Sequence, residues 1–143
     1  MMDPQPLRAR VKRALTLAGP RPWLVGYDIN GIQELITASS RPILMRGASQ
    51  IIGDFDAASS TELTIFAGGG RGVELAPSQD DASARIDKLV RGFREATRGG
   101  VLVASSVPYD PTDAHASLLW LQRKLSIEKA AAPRPVGLVL CRA

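Results

Sequence analysis

The first sustained apolar run is WLVGY, Trp23 to Tyr27, a continuous stretch of the length expected for a buried central strand. Asn30 follows in the position of a helix N-cap, with Gln33 three residues on as its capping-box partner. Ile32, Leu35 and Ile36 then predict a helical face that stops at SSRP, and Pro42 restarts a helix behind Ser39 or Ser40. Leu44, Ala48, Ile51, Ile52 and Phe55 continue that second piece at helical spacing. ELTIFA, GGGRG and VELAP read as strand, glycine turn and strand. Ser78 and Asp81 form another capping-box signature ahead of Ala82, Ile86, Leu89, Val90 and Phe93, an amphipathic helix ending at Gly99 and Gly100. VLVASSV is a fourth strand signal. A helix over about 115–131, with Leu118, Leu121 and Leu125 on one side, comes next, and PVGLVLC reads as a last short strand.

The order strand, helix, strand, turn, strand, helix, strand predicts an α+β, ferredoxin-like βαββαβ sheet with helices on one face and an extra C-terminal helix. In that topology the first and third strands are antiparallel neighbours at the sheet centre. Asp28, at the end of the first strand, is therefore expected beside the glycine turn at 68–72.

Composition narrows the class. The chain has 143 residues with 45% hydrophobic side chains, enough for one domain and too few for two ordinary ones. Residues 1–22 contain Arg8, Arg10, Lys12 and Arg13 and end in GPRP. They read as a basic N-terminal arm or short helix leading into a single domain over 23–143, solvated by default and phosphate-touching in the alternative. One cysteine, Cys141, excludes a disulfide framework and a thiolate zinc site. No apolar run suits a signal peptide or membrane span, so a cytoplasmic protein without membrane contact is expected. The net charge of +4 suits an anionic partner without requiring one. Arg85, Lys88, Arg91, Arg94 and Arg98 form a basic helix face, read as solvated, with RNA contact the alternative.

The candidate chemistry sits at the strand end. A carboxylate facing a glycine turn, beside a helix N-terminus that offers N–H donors, suits a divalent metal and nucleotide phosphates. Asp28, Asn30, Gly31, Gly68, Gly69, Gly70 and Arg71 are the candidate nucleotide-binding residues, with Asp28 the metal ligand. On spacing alone an equal reading stands: Asp28 joins the helix cap, and the glycines permit a tight turn.

Three motifs, DINGIQELI, SSRPILMRGAS and FAGGGRGVELAP, together resemble the first palm domain of the large polymerase-like subunit of type III CRISPR effector complexes, over about 23–129. That family has a palm related to nucleotidyl cyclases and GGDEF enzymes and makes cyclic oligoadenylates from ATP in antiviral defence. The resemblance implies a palm that binds ATP or a related nucleotide with Mg2+ or Mn2+, paired with a second palm or with a copy of itself. It also implies a deficit. The active palm of such a pair carries two acids after its paired glycines, where this chain has Gly70 and Arg71. No catalytic residue is therefore assigned: several carboxylates are needed to hold two cations, and Arg71 favours phosphate over metal. The expected function is the acid-poor, nucleotide-binding half of a cyclic oligonucleotide synthase. The alternatives are a scaffold that binds protein or RNA without nucleotide, and an autonomous cyclase that recruits Asp54, Asp56 or Glu74 to Asp28. None of those three acids is well placed by the predicted order. The lone His115 reads as a surface or cap residue.

Overall fold

A computed structural model of the chain describes residues 4–30, 42–97 and 100–132. Its elements are α1 (Pro4–Ala18), β1 (Trp23–Ile29), α2 (Pro42–Ser59), β2 (Thr64–Gly68), β3 (Arg71–Ala76), α3 (Gln79–Thr97), β4 (Leu102–Pro108) and α4 (Ala114–Ala131). The helix expected over Ile32–Ile36, Gly31 and the last strand at 135–141 lie outside the described residues.

The strands form one antiparallel sheet in the order β2-β3-β1-β4. Trp23 to Asp28 pair with Ala76 back to Arg71 on one side of β1, and Trp23 to Ile29 with Pro108 back to Leu102 on the other. This is the predicted α+β arrangement, with β1 and β3 as central neighbours. Local signals set the boundaries. Pro42 opens α2. Ser78 Oγ accepts from Asp81 N–H at 3.1 Å and donates to the Asp81 carboxylate at 2.9 Å, closing the start of α3. Asp113 caps α4 by accepting from Ala116 N–H at 3.1 Å.

Strand alternation sends β1 side chains to two cores. Val25, Tyr27 and Ile29 meet Ile52 and Phe55 of α2 and Leu89 and Phe93 of α3. Phe55 packs edge-to-face on both Tyr27 and Phe93, with ring centroids 5.8 and 5.1 Å away. Leu24, Leu75 and Val107 face the other way, onto Ala14 and Ala18 of α1 and Leu121 of α4. The sheet is therefore covered on both faces, whereas the strand and helix order predicts cover on one. The reason is in α1: Val11, Ala14, Leu15 and Ala18 recur at i, i+3, i+4 and i+7, and the small alanines, fully buried, bring the helix close to the strands. The segment expected as a basic arm or short helix is a helix, and it docks on the sheet. Of the three leucines expected on one side of α4, Leu121 is buried, Leu125 half-buried and Leu118 exposed.

Candidate functional site at the glycine turn

The β2–β3 connection is a two-residue turn, Gly69 and Gly70, closed by the Gly68–Arg71 pair. Both glycines have positive φ, 64° and 81°. That is the requirement of the primed turn whose twist matches antiparallel strands, and any other residue there is strained. β1 ends beside it. Ile29 N–H donates to Gly70 O at 2.9 Å, and Asp28 is the register partner of Arg71.

Asp28 and the turn therefore converge, as the topology predicts. The Asp28 carboxylate, on the α4 side of the sheet, lies 3.5 Å from Arg71 Nε and 3.3 Å from Lys129 Nζ. Lys129 comes from the last turns of α4, 101 positions along the chain. The Asp28 side chain is 15% exposed, Lys129 33% and Arg71 70%, so the pair of cations frames the acid from the solvent side. Two cations on one carboxylate leave positive charge in excess.

The opposite side of the same turn is held by a second acid. Asp56 of α2 is buried, and its carboxylate accepts from Tyr27 OH at 2.6 Å and from Gly70 N–H at 3.0 Å. Burial, then the hydrogen bond to Asp56 and the negative charge of Asp56 and Glu74, push the Tyr27 phenol well above its usual range. Gly72 lies under this ring, and a Cβ there would overlap Tyr27. One edge of the turn is thus locked to the core.

Several expectations change in detail. Asn30 is buried, and its backbone N–H donates to Val101 O at 2.8 Å, so that amide extends the sheet and is not offered to a ligand. Gly70 N–H already holds an anion, the chain's own Asp56, so it is not a phosphate donor either. Gly68 and Gly69 remain on the outer side of the turn, and Gly31 is outside the described residues. Asp54 is exposed and accepts from Gln50 Nε2 at 2.8 Å. Glu74 is buried against Arg85, whose Nη2 donates to Glu74 Oε2 at 3.1 Å and also to Ser59 O. None of Asp54, Asp56 and Glu74 joins Asp28; Asp56, expected to be remote, does reach the turn, but on its opposite side.

Two roles escape the sequence reading, which names Asp56 only as a poorly placed acid and gives Lys129 no role. Asp56 follows Ile52 by four and Phe55 by one, so an acid falls on the apolar stripe of α2, the signal of a buried carboxylate with partners. Lys129 continues the stripe Leu121, Leu125 by four more residues, which carries it to the β1 end of the sheet.

Among the described residues, the donor set around Asp28 does not suit a divalent cation. Asp28 is balanced by two side-chain cations, and the described residues contain no group of three or more His, Cys, Asp or Glu placed to hold a metal. Also among the described residues, no helix is long and apolar enough to cross a membrane.

No protein-family model and no curated protein matches the sequence. Solved structures do match. The apo Csm1–Csm4 cassette superposes over 87% of this chain with a TM-score of 0.62 and 17% identity. This chain has the fold of a Csm1 domain. Csm1 of T. onnurineus agrees over 80% of the chain, with a TM-score of 0.59 and 19% identity. The Csm1–Csm4 cassette with AMPPNP agrees over 87%, with a TM-score of 0.61 and 17% identity. The chain spans about a fifth of the length of these Csm1 chains, 21%, 20% and 21% in turn. Other Csm1–Csm4 cassettes of the same fold were solved with cA3 and with cA4. The palm fold expected from the type III CRISPR resemblance is the fold observed.

Proposed function

We propose that this chain is a nucleotide-binding palm, the acid-poor half of a CRISPR-type cyclic oligonucleotide synthase. The observation that carries the reading is the convergence of Arg71 and Lys129 on Asp28 at the glycine turn. Excess positive charge on a rigid turn is suited to a polyphosphate, because guanidinium and ammonium groups bind phosphate oxygens through charge-assisted hydrogen bonds. A fold seen in Csm1 structures with AMPPNP supports the same ligand class.

In this reading Arg71 and Lys129 grip the triphosphate and Asp28 holds both cations in place. The Mg2+ or Mn2+ that accompanies ATP belongs with the triphosphate and with acids of a partner palm rather than with Asp28. The chain orients one nucleotide, and the partner supplies the metal-held charge that palm chemistry needs. The partner is a second palm-like domain or protein. A homodimer is competent to bind but not to react, since both halves carry Gly70 and Arg71 where the acids belong.

Calorimetric titration with ATP, with and without magnesium, tests the reading. Weak binding that Arg71→Ala weakens further supports it; no heat at millimolar ATP overturns it. Incubation with ATP and magnesium or manganese, read by mass spectrometry, should give no cyclic product from the chain alone. Robust product that disappears in Asp28→Ala would promote an autonomous cyclase.

A second reading, an interaction scaffold without nucleotide, draws on α4. Leu119, Trp120 and Ile127 are 47%, 52% and 70% exposed on its outer side, an apolar surface of the kind that partners cover. The same titration separates the two readings.

A further inference from the structure

The cations of this chain are not evenly placed. α1 carries Arg8, Arg10, Lys12 and Arg13 and no acid. Those four account for the whole net charge of +4, because the remaining Lys and Arg equal the fourteen Asp and Glu in number. α3, the other helix with a basic face, is balanced: Arg85, Lys88, Arg91 and Arg94 alternate with Asp80, Asp81, Asp87 and Glu95.

The four α1 cations are also free. All four are exposed, and among the described residues none makes an ion pair or a side-chain hydrogen bond. Lys88 and Arg94 of α3 are likewise exposed and unpaired among the described residues, but acids share their helix, whereas α1 has none; Arg71 and Lys129 face Asp28, Arg85 faces Glu74, and Lys124 Nζ donates to Ser106 O at 2.7 Å. Docking of α1 explains the outward array. Val11, Ala14, Leu15 and Ala18 occupy the sheet-facing side, and at 3.6 residues per turn Arg8, Lys12, Arg13 and Arg10 spread over the remaining sides. Val11, Ala14, Leu15 and Ala18 are used against the sheet, and Leu7 and Leu17, 37% and 49% exposed, are the large apolar side chains left on the outside of α1. They stand ten positions apart among four cations and make no continuous apolar face of the kind that inserts into lipid, whereas dispersed point charges suit the phosphodiester backbone of a nucleic acid.

We infer that α1 is a docking surface for the backbone of a nucleic-acid strand, reading phosphate and not base. This goes beyond nucleotide binding at the turn, which lies on other elements and uses other cations.

The test is fluorescence anisotropy of the full chain with labelled poly-uridine RNA, repeated across salt concentrations. Each neutralised phosphate on a single strand contributes a slope of about −0.7 in log affinity against log salt, so three or four contacts predict roughly −2 to −3. Arg8→Gln/Arg10→Gln/Lys12→Gln/Arg13→Gln should flatten the slope towards zero and lower affinity by roughly tenfold or more at low salt. Should that variant lose helicity by circular dichroism, Arg8→Gln/Lys12→Gln serves in its place, and half the slope change is expected. Lys88→Gln/Arg91→Gln/Arg94→Gln, the same kind of change on α3, should leave affinity within about twofold. Arg71→Ala should bind the strand as wild type does, whatever becomes of its ATP affinity. Thymidine DNA should bind within about tenfold of RNA, since phosphate is common to both.

Equal losses from the α1 and α3 variants would show that bulk charge is responsible and overturn the inference. So would a flat salt dependence in wild type, a preference of more than about tenfold for RNA, which marks 2′-hydroxyl readout, or binding to phosphatidylserine vesicles without binding to either strand.

Discussion

Two aspartates flank one glycine turn, and the sheet between them gives them opposite surroundings. Asp56 is buried on the α2 side, where its partners are a phenol and a backbone N–H. Asp28 stands at the α4 side, where its partners are two cations open to solvent. A carboxylate with neutral buried donors fixes geometry, because removing it strands those donors away from water. A carboxylate with exposed cations holds charge in readiness, because either cation can turn to a new anion at little cost. The difference teaches that the turn has an anchored side and an available side, and the candidate ligand belongs on the second.

The largest test of that contrast is Asp56→Ala. Tyr27 OH and Gly70 N–H would both be left unpaired, at about 1–3 kcal/mol each, so stability should fall by about 3 kcal/mol. Thermal unfolding followed by circular dichroism should show a midpoint lower by about 10 °C. A loss below about 1 kcal/mol would mean that Asp56 is not the anchor.

Tyr27→Phe keeps the ring and removes one donor to Asp56, so a loss of about 1.5 kcal/mol is expected. It also carries a pH signature. The folded phenol titrates above its unfolded value of about 10, so its contribution is complete below that pH and declines as pH rises beyond it. Urea unfolding between about pH 8 and pH 11 should show a steeper alkaline decline in wild type than in the variant. Parallel curves would remove Tyr27 from the anchor.

Asp28→Asn should cost less than about 1 kcal/mol, the range of solvent-screened ion pairs. It frees Arg71 and Lys129 from one another's shared acid, so ATP affinity should change while the melting temperature barely moves. Destabilisation equal to that of Asp56→Ala would erase the distinction between the two sides.

Arg71→Ala is the smallest in stability, within about 0.5 kcal/mol, because the side chain is 70% exposed. Its effect should appear in the ATP titration alone.

Much of this was legible in the chain. WLVGY, the GGGRG turn and the Ser78–Asp81 box are local signals, and together they specify strand order and hence the meeting of Asp28 with the turn. What escaped depends on how helices cross the sheet. Asp56 near the far end of α2 reads as remote until the helix is laid over β1 and β3, where it reaches Gly70. The docking of α1 rests on the stripe Val11, Ala14, Leu15 and Ala18, whose two small alanines carry a weak apolar signal beside four cations. The amides of Asn30 and Gly70 read as free donors because a sequence does not show which carbonyl or carboxylate takes them.

The bond between Asp28 and Lys129 has a consequence for how the chain comes to be folded. Its ends are 101 positions apart, and β1 finds its sheet partners only in β3 and β4, the second of which begins at Leu102. At a synthesis rate of about 5–20 residues per second, β1 leaves the ribosome roughly 5 to 20 seconds before Lys129 does. During that interval the nascent chain displays β1 first with both edges unpaired and then, once β3 has emerged, with the β4 edge still open to intermolecular pairing. Contacts of such long sequence separation also slow the search for the native arrangement. Aggregation of this protein should therefore respond to translation speed, and a chain halted before β4 should be retained by chaperones.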